Sequence, residues 1–289
     1  MKIAIVAVPY ANDIAKWGYA QGPAFFLRHG LVDVLKAHGH TVLDPVYAEL
    51  PLAERGRDVV TNLGRLNQSE SDLVARALAD PDTVVLALQG DCTHAPGVAG
   101  GIYRARGGVG MVWYDAHGDI NTMATTETGL WGGMPYAVAL GWDLDDWRQA
   151  AGLSEPIAPR AAALFGTSDL DPAEVAAIAR EGLAHLDARD LNGPAVRAVL
   201  APRRAAAPAW YLHIDMDVAG PEVPGVNTPA PYWPARDRLI EAVGETARTV
   251  PLAAFSLAAV NPLGDPDGRS ARLGNDLAVA IADAIAAGR

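Results

Sequence analysis

The chain has 289 residues, 50% of them hydrophobic, enough to bury one large core, and a formal net charge of −11. That charge excludes nucleic acid and anionic membrane surfaces as partners and suits a cationic small substrate or clustered metal-binding carboxylates. No run of about 18 apolar residues occurs, so no membrane span is expected.

The chain opens on an apolar, strand-like run at 2–8 (KIAIVAV), without a basic region or small-residue cleavage site, so no signal peptide is expected. Helical spacing follows at 24–37, then a weaker strand signal at 41–44 and a helix at 66–79. A strand at 83–88 (TVVLAL) runs into a polar, glycine-bearing turn that holds Cys92, the one cysteine of the chain. A single cysteine forms no internal disulfide, which fits a reducing cytoplasm. Further strands are expected at 109–114, 161–165, 209–214 and 252–257, and helices at 171–181, 191–200, 236–248 and 270–287. The Pro- and Gly-rich stretches 151–160 and 219–234 read as loops. The strands are apolar on both faces, and strand alternates with helix throughout. This predicts an α/β fold on a mainly parallel sheet, in one domain covering 1–289.

Ligands in such folds bind beyond the carboxyl ends of the strands. Three sequences at those ends carry chemistry. In "YDAHGDINT" (114–122), Asp115, His117 and Asp119 alternate, so an extended backbone would aim all three the same way. In "LHIDMDVAGP" (212–221), Asp215 and Asp217 repeat the alternation, with His213 on their face. The third is "GDCTH", with Cys92 at the strand end. Each has a plain alternative: an isolated DxD is more often a turn or cap, a lone cysteine is usually core filler, and His213 alone would be a hydrogen-bonded core residue. Together, four carboxylates, a histidine and a thiol at neighbouring sheet ends favour a two-metal site, because such groups repel or stay unsatisfied unless a cation lies among them. Phosphate-loop, dinucleotide-binding and nucleophile-elbow motifs are absent.

"DAHGDINT" followed by "HIDMDV", with a "GD" strand end upstream and "VNP" downstream, resembles the ureohydrolases: arginase, agmatinase, formimidoylglutamase and relatives. The likeness runs from "GPAFFLRHGL" at 22–31 to "AAVNPLGDPDGRSA" at 258–271. It implies a three-layer α/β/α sandwich and a binuclear manganese centre whose bridging hydroxide attacks a guanidinium or amidine-like carbon, releasing urea or an analogue. It implies that Asp115 and Asp215 bridge the metals, that His117 and Asp217 complete the second, and that Asp119 binds the first and hydrogen-bonds the hydroxide. The family's remaining ligand is a histidine, and here Cys92 stands in its place. A thiol is soft and Mn²⁺ hard, so the ion near Cys92 is expected to be weakly bound or replaced by Zn²⁺ or Fe²⁺. A nucleophilic Cys92 is the weaker reading, His94 being the one base evident beside it; packing is the main competitor.

Positions matching the family's substrate loop are Asn121, Thr126 and Thr128, with Asp169 and Asp171 in "SDLDP"; all are also common turn residues. The family's proton-transfer histidine aligns with Gly132, and its guanidinium-gripping glutamate with Ala259; Glu127 offers a substitute carboxylate in the same loop. The resemblance therefore implies a metal-dependent hydrolase of a linear C–N bond in a guanidino or amidino compound other than free arginine. It also implies a homo-oligomer, a trimer or hexamer. The alternative is a catalytically impaired relative that binds a small ligand or serves as a structural subunit.

Overall fold

A computed structural model describes residues 1–226 and 228–288. In chain order its elements are β1 (Lys2–Val8), a short hairpin of β2 (Tyr10–Ala11) and β3 (Ile14–Ala15), α1 (Gly22–Arg28), α2 (Leu31–Ala37), β4 (Thr41–Val42), β5 (Val46–Tyr47), α3 (Val59–Ala77), β6 (Thr83–Gln89), α4 (Ala95–Arg106) and β7 (Gly110–Tyr114). Then come α5 (Pro135–Leu140), α6 (Asp145–Ala150), β8 (Ala162–Thr167), α7 (Pro172–Glu181), β9 (Ala184–Asp187), α8 (Gly193–Leu200), β10 (Trp210–Ile214), α9 (Arg236–Thr249), β11 (Leu252–Leu257) and α10 (Arg269–Ala287).

The main sheet runs β4-β1-β6-β11-β10-β7-β8-β9, with β5 also pairing β1, and all its pairings are parallel. Strands β6, β7, β8, β10 and β11 are buried along their whole length, as strands covered by helices on both faces must be. Helices α3 to α6 pack together as one outer layer, and α2, α8, α9 and α10 as the other. The architecture is the three-layer α/β/α sandwich expected. Among the described residues, no helix is long and apolar enough to cross a membrane.

The departures from the sequence reading have local causes. The helix expected over 24–37 is two helices, because Gly30 sits at φ 82°, a left-handed conformation that ends one and starts the next. Helix α4 escaped notice because "APGVAGG" reads as a turn. Pro96 lies in its first turn, where a missing N–H costs nothing. Its glycines face close neighbours: a Cβ on Gly100 would lie 1.9 Å from the Ala151 carbonyl oxygen. Strand β9 also went unread; its side chains are mostly half-buried, so it lacks the apolar run that marked the others. In the segment read as a loop at 219–234, a 3-10 stretch, Met216–Glu222, enters at the start.

Candidate metal centre

The site lies at the carboxyl ends of β6, β7 and β10. After β6, Gly90 must lack a side chain, since a Cβ there would sit 1.9 Å from the Tyr10 carbonyl oxygen. Asp91 then caps the 3-10 turn Cys92–His94 by accepting the Thr93 N–H at 3.1 Å, and it also accepts the Asn12 N–H at 2.6 Å. This turn points the Cys92 thiol across the sheet, where it donates to Asp215 Oδ2 at 2.9 Å.

From β7 comes Asp115, whose Oδ2 accepts Trp113 Nε1–H at 2.9 Å and whose Oδ1 accepts the His117 N–H at 2.7 Å. The His117 Nδ1 lies 3.2 Å from Asp115 Oδ1 and 3.1 Å from Asp217 Oδ2. From β10, Asp215 caps the next turn by accepting the Asp217 N–H at 2.8 Å, and Asp217 accepts the Ala116 N–H at 3.2 Å. Two donor groups result: Cys92, Asp115 and Asp215, and Asp115, His117 and Asp217, each with its ligand atoms within 4.8 Å of one another. Asp115 belongs to both.

The means of convergence differ from the expected extended backbone. The chain bends at Ala116 and His117, and Asp119 takes φ 52°. Asp119 is buried, but its carboxylate joins neither donor group among the described residues. The charges of Asp115 and Asp215 nonetheless act on it, after burial itself, to hold its carboxyl well above the ordinary range.

Electrostatics describe a site short of positive charge. Burial, then the charge of Asp217, pushes the Asp115 carboxyl up to about 6. Burial, then Asp217 and Asp115, holds Asp215 well above the usual carboxylate range. The Cys92 thiol is likewise raised by burial and then by Asp215, Asp119 and Asp115. Burial lowers the proton affinity of His117, but hydrogen bonds and charge from Asp115 and Asp217 outweigh it and raise the pKa. Its Nε2 is buried with no hydrogen-bond partner among the described residues. Crowded carboxylates that resist ionisation, with the His117 Nδ1 turned in among them, fit a pair of divalent cations. Oxygen donors dominate, and the one sulfur sits at one end.

The residues matched to the substrate loop have mixed settings. Asn121 is buried and donates to Asp171 Oδ2 at 2.8 Å, while Asp171 caps α7. Thr126 Oγ1 accepts the Gly129 N–H and Thr128 Oγ1 the Leu130 N–H, so both hydroxyls brace their own loop. Glu127, Thr128 and Asp169 are exposed. A Cβ on Gly132 would meet nothing within 4 Å, and Ala259 is buried at φ 62° with its N–H on the Gly90 carbonyl.

Two contributors, Glu174 and Trp113, were missed in the sequence, and a third, His213, was placed on the site's face but not beside the thiol. Glu174 on α7 is buried and accepts the Ile120 N–H at 3.2 Å and the Asp171 N–H at 3.0 Å, tying α7 to the turn that carries Asp119. Burial is the first cause raising its carboxyl to about 7. Its signal was the D-P-A-E capping-box pattern. Trp113 and His213 each precede a site aspartate by two residues, so strand alternation puts them on the same face. His213, rather than His94, is the imidazole beside Cys92, with Nε2 3.2 Å from the sulfur. The His94 Nε2 is taken by the Tyr10 carbonyl at 3.0 Å.

The family model described as Arginase family matches residues 1–283. An arginase of Bacillus caldovelox is 28% identical over 242 residues, covering 78% of this chain and 80% of that protein. The crystal structure of arginase from Bacillus subtilis superposes with a TM-score of 0.86 at 23% identity, covering 97% of this chain and 98% of that one. Proclavaminate amidino hydrolase from Streptomyces clavuligerus superposes with a TM-score of 0.75 at 16% identity, over 100% and 93% of the two chains.

Proposed function

The chain belongs to the arginase family, and from that premise we propose that it is a metal-dependent hydrolase of a guanidino or amidino compound other than free arginine, releasing urea or a urea analogue. The observation that carries this reading is the pair of donor groups sharing Asp115. Cys92, Asp115, Asp119 and Asp215 would hold one divalent ion, and Asp115, His117, Asp215 and Asp217 the other. Two bound cations supply Lewis acidity that makes hydroxide available near neutral pH.

The chain's own residues do the rest. Trp113 and the His117 backbone N–H fix both oxygens of Asp115. Asp119, buried beside the charges of Asp115 and Asp215, would as an ionised carboxylate among the cations accept a hydrogen bond from the attacking water. Asn121, set by Asp171 and Thr125, offers polar contact to the substrate's far end. Thr126 and Thr128 serve through the loop they brace.

The substrate inference rests on what Ala259 and Gly132 lack. Burying a guanidinium near two cations without a carboxylate leaves its desolvation poorly compensated. A less basic or bulkier group, such as an N-hydroxylated or acylated guanidine, loses less on entry. The test is metal-loaded protein assayed for urea and hydroxyurea release across arginine, agmatine and modified guanidines. Turnover of a modified guanidine above arginine supports the reading. Efficient arginine hydrolysis contradicts the substrate assignment, and metal binding with no hydrolysis anywhere favours the impaired-relative alternative.

A further inference from the structure

Behind Cys92 lies a layer of buried polar side chains that the reaction does not use. Strand β11 separates β6 from β10, and at the relevant level it carries only Ser256, a residue small enough for side chains of the flanking strands to meet over it. Across that gap His213 Nδ1 lies 2.8 Å from Ser256 Oγ and 3.2 Å from the Tyr211 hydroxyl. Tyr211 and Ser256 are 2.7 Å apart, and Tyr211 donates to Gln89 Oε1 at 3.4 Å. Gln89 in turn donates to Glu70 Oε1 at 2.8 Å. The His213 ring is fully buried, tilts over Trp113 with centroids 3.9 Å apart, and has Nε2 3.2 Å from Cys92 Sγ.

A metal-bound cysteine is a thiolate, and a buried thiolate needs donors as well as the metal. Among the described residues, His213 Nε2 is the nitrogen of this layer that lies within hydrogen-bond reach of the sulfur. A neutral imidazole has one N–H and one lone pair. With the Ser256 hydroxyl donating to Nδ1, the N–H falls on Nε2, the nitrogen facing Cys92. Tyr211, which donates onward to Gln89, leaves that hydroxyl free to do so.

We propose that His213 is the positioning residue for Cys92: anchored by Ser256, it donates Nε2–H to the sulfur and aims the remaining thiolate lone pairs into the Asp115–Asp215 group, so that this half of the centre selects a thiophilic divalent ion. The imidazole that the Cys92 turn lacks is thus supplied from β10, behind the ligand rather than as one. The inference rests on Cys92 being a ligand, and it assigns a cause to which ion that ligand retains. Partners of this kind tune affinity by about 10- to 100-fold.

The experiment strips the full-length protein of metal and titrates it with Co²⁺, following the thiolate-to-cobalt charge-transfer absorption and the number of ions bound. Wild type is expected to show the band and Cys92→Ser to lack it. His213→Leu, which fills the same apolar space without a donor, should bind the band-producing ion about 10- to 100-fold more weakly, while the ion at His117 and Asp217 binds as before. His213→Gln, whose amide N–H can reach the sulfur, should recover part of the loss, and Ser256→Ala should reproduce a smaller share of it. Unchanged band and affinity in His213→Leu overturn the proposal; if that variant does not fold, unchanged Co²⁺ binding in both His213→Gln and Ser256→Ala does so. No band in wild type, or one that survives in Cys92→Ser, overturns the ligand role of Cys92 itself and the inference with it.

Discussion

At the scale of single residues, two substitutions and one metal titration separate the candidate chemistry from ordinary packing. Cys92 sits in the core, but its sulfur is 2.9 Å from a carboxylate oxygen, a contact that apolar filler would not make. Cys92→His should raise Mn²⁺ affinity, because imidazole suits that hard ion better than a soft sulfur ligand. No gain in bound Mn²⁺ on metal analysis would return Cys92 to the packing reading. The set of Asp115, His117, Asp215 and Asp217 is complete without the thiol, so under limiting Mn²⁺ it should fill first; equal occupancy of both sites would count against that. Ala259→Glu restores a carboxylate at a backbone position already accommodated at φ 62°. A charge-assisted pair contributes about 1.5–3 kcal/mol, so kcat/KM for an unmodified guanidinium should rise about 10- to 100-fold relative to the modified one. An unchanged ratio in steady-state kinetics contradicts the missing-clamp account.

Elements place these residues, and here the sequence was legible in proportion to apolar periodicity. Strands β1, β6, β7, β8, β10 and β11 were marked by their own side chains, and with them the three strand ends that carry the site. Helix α4 was not, since its glycines serve tight packing rather than a turn, a distinction that resides in the neighbours and not in the segment. The candidate ligands were legible from alternation, yet the bend at Ala116 and the left-handed Asp119 were not, because the turn is imposed from outside by Glu174. A Cβ on Gly118 would lie 2.5 Å from Glu174 Oε1, so carboxylate and turn are in close contact. Glu174→Ala should therefore cost about 1–3 kcal/mol by leaving the buried Ile120 N–H and the α7 cap unmatched. Activity should fall with it as Asp119 loses its frame. Chemical denaturation and turnover check both; a variant with wild-type stability would dismiss this tie.

Across the whole molecule, the sheet gathers buried carboxylates whose charges oppose one another, and stability should report it. Asp115, raised to about 6 from an ordinary 3.8, holds its proton more tightly folded than unfolded. Asp119 and Asp215 are raised in the same sense. Their contribution is fully present below the unfolded value and is lost as pH rises through the folded one. Metal-stripped protein should thus lose Tm between about pH 4 and pH 7, and saturating divalent metal should reverse much of that loss by binding the ionised carboxylates. A Tm that holds or rises over that window without metal would contradict the picture. Asp215→Ala should likewise abolish hydrolysis, and wild-type turnover in that variant would remove the two-ion mechanism. The central claim is that one carboxylate, Asp115, organises both halves of the centre. Its most direct test is the number of divalent ions bound per chain by wild type and by Asp115→Ala, measured by titration and metal analysis on folded protein. Two ions in wild type, with both weakened together in the variant, is the predicted result; a wild type that binds none, or a variant that keeps both at undiminished affinity, would contradict it.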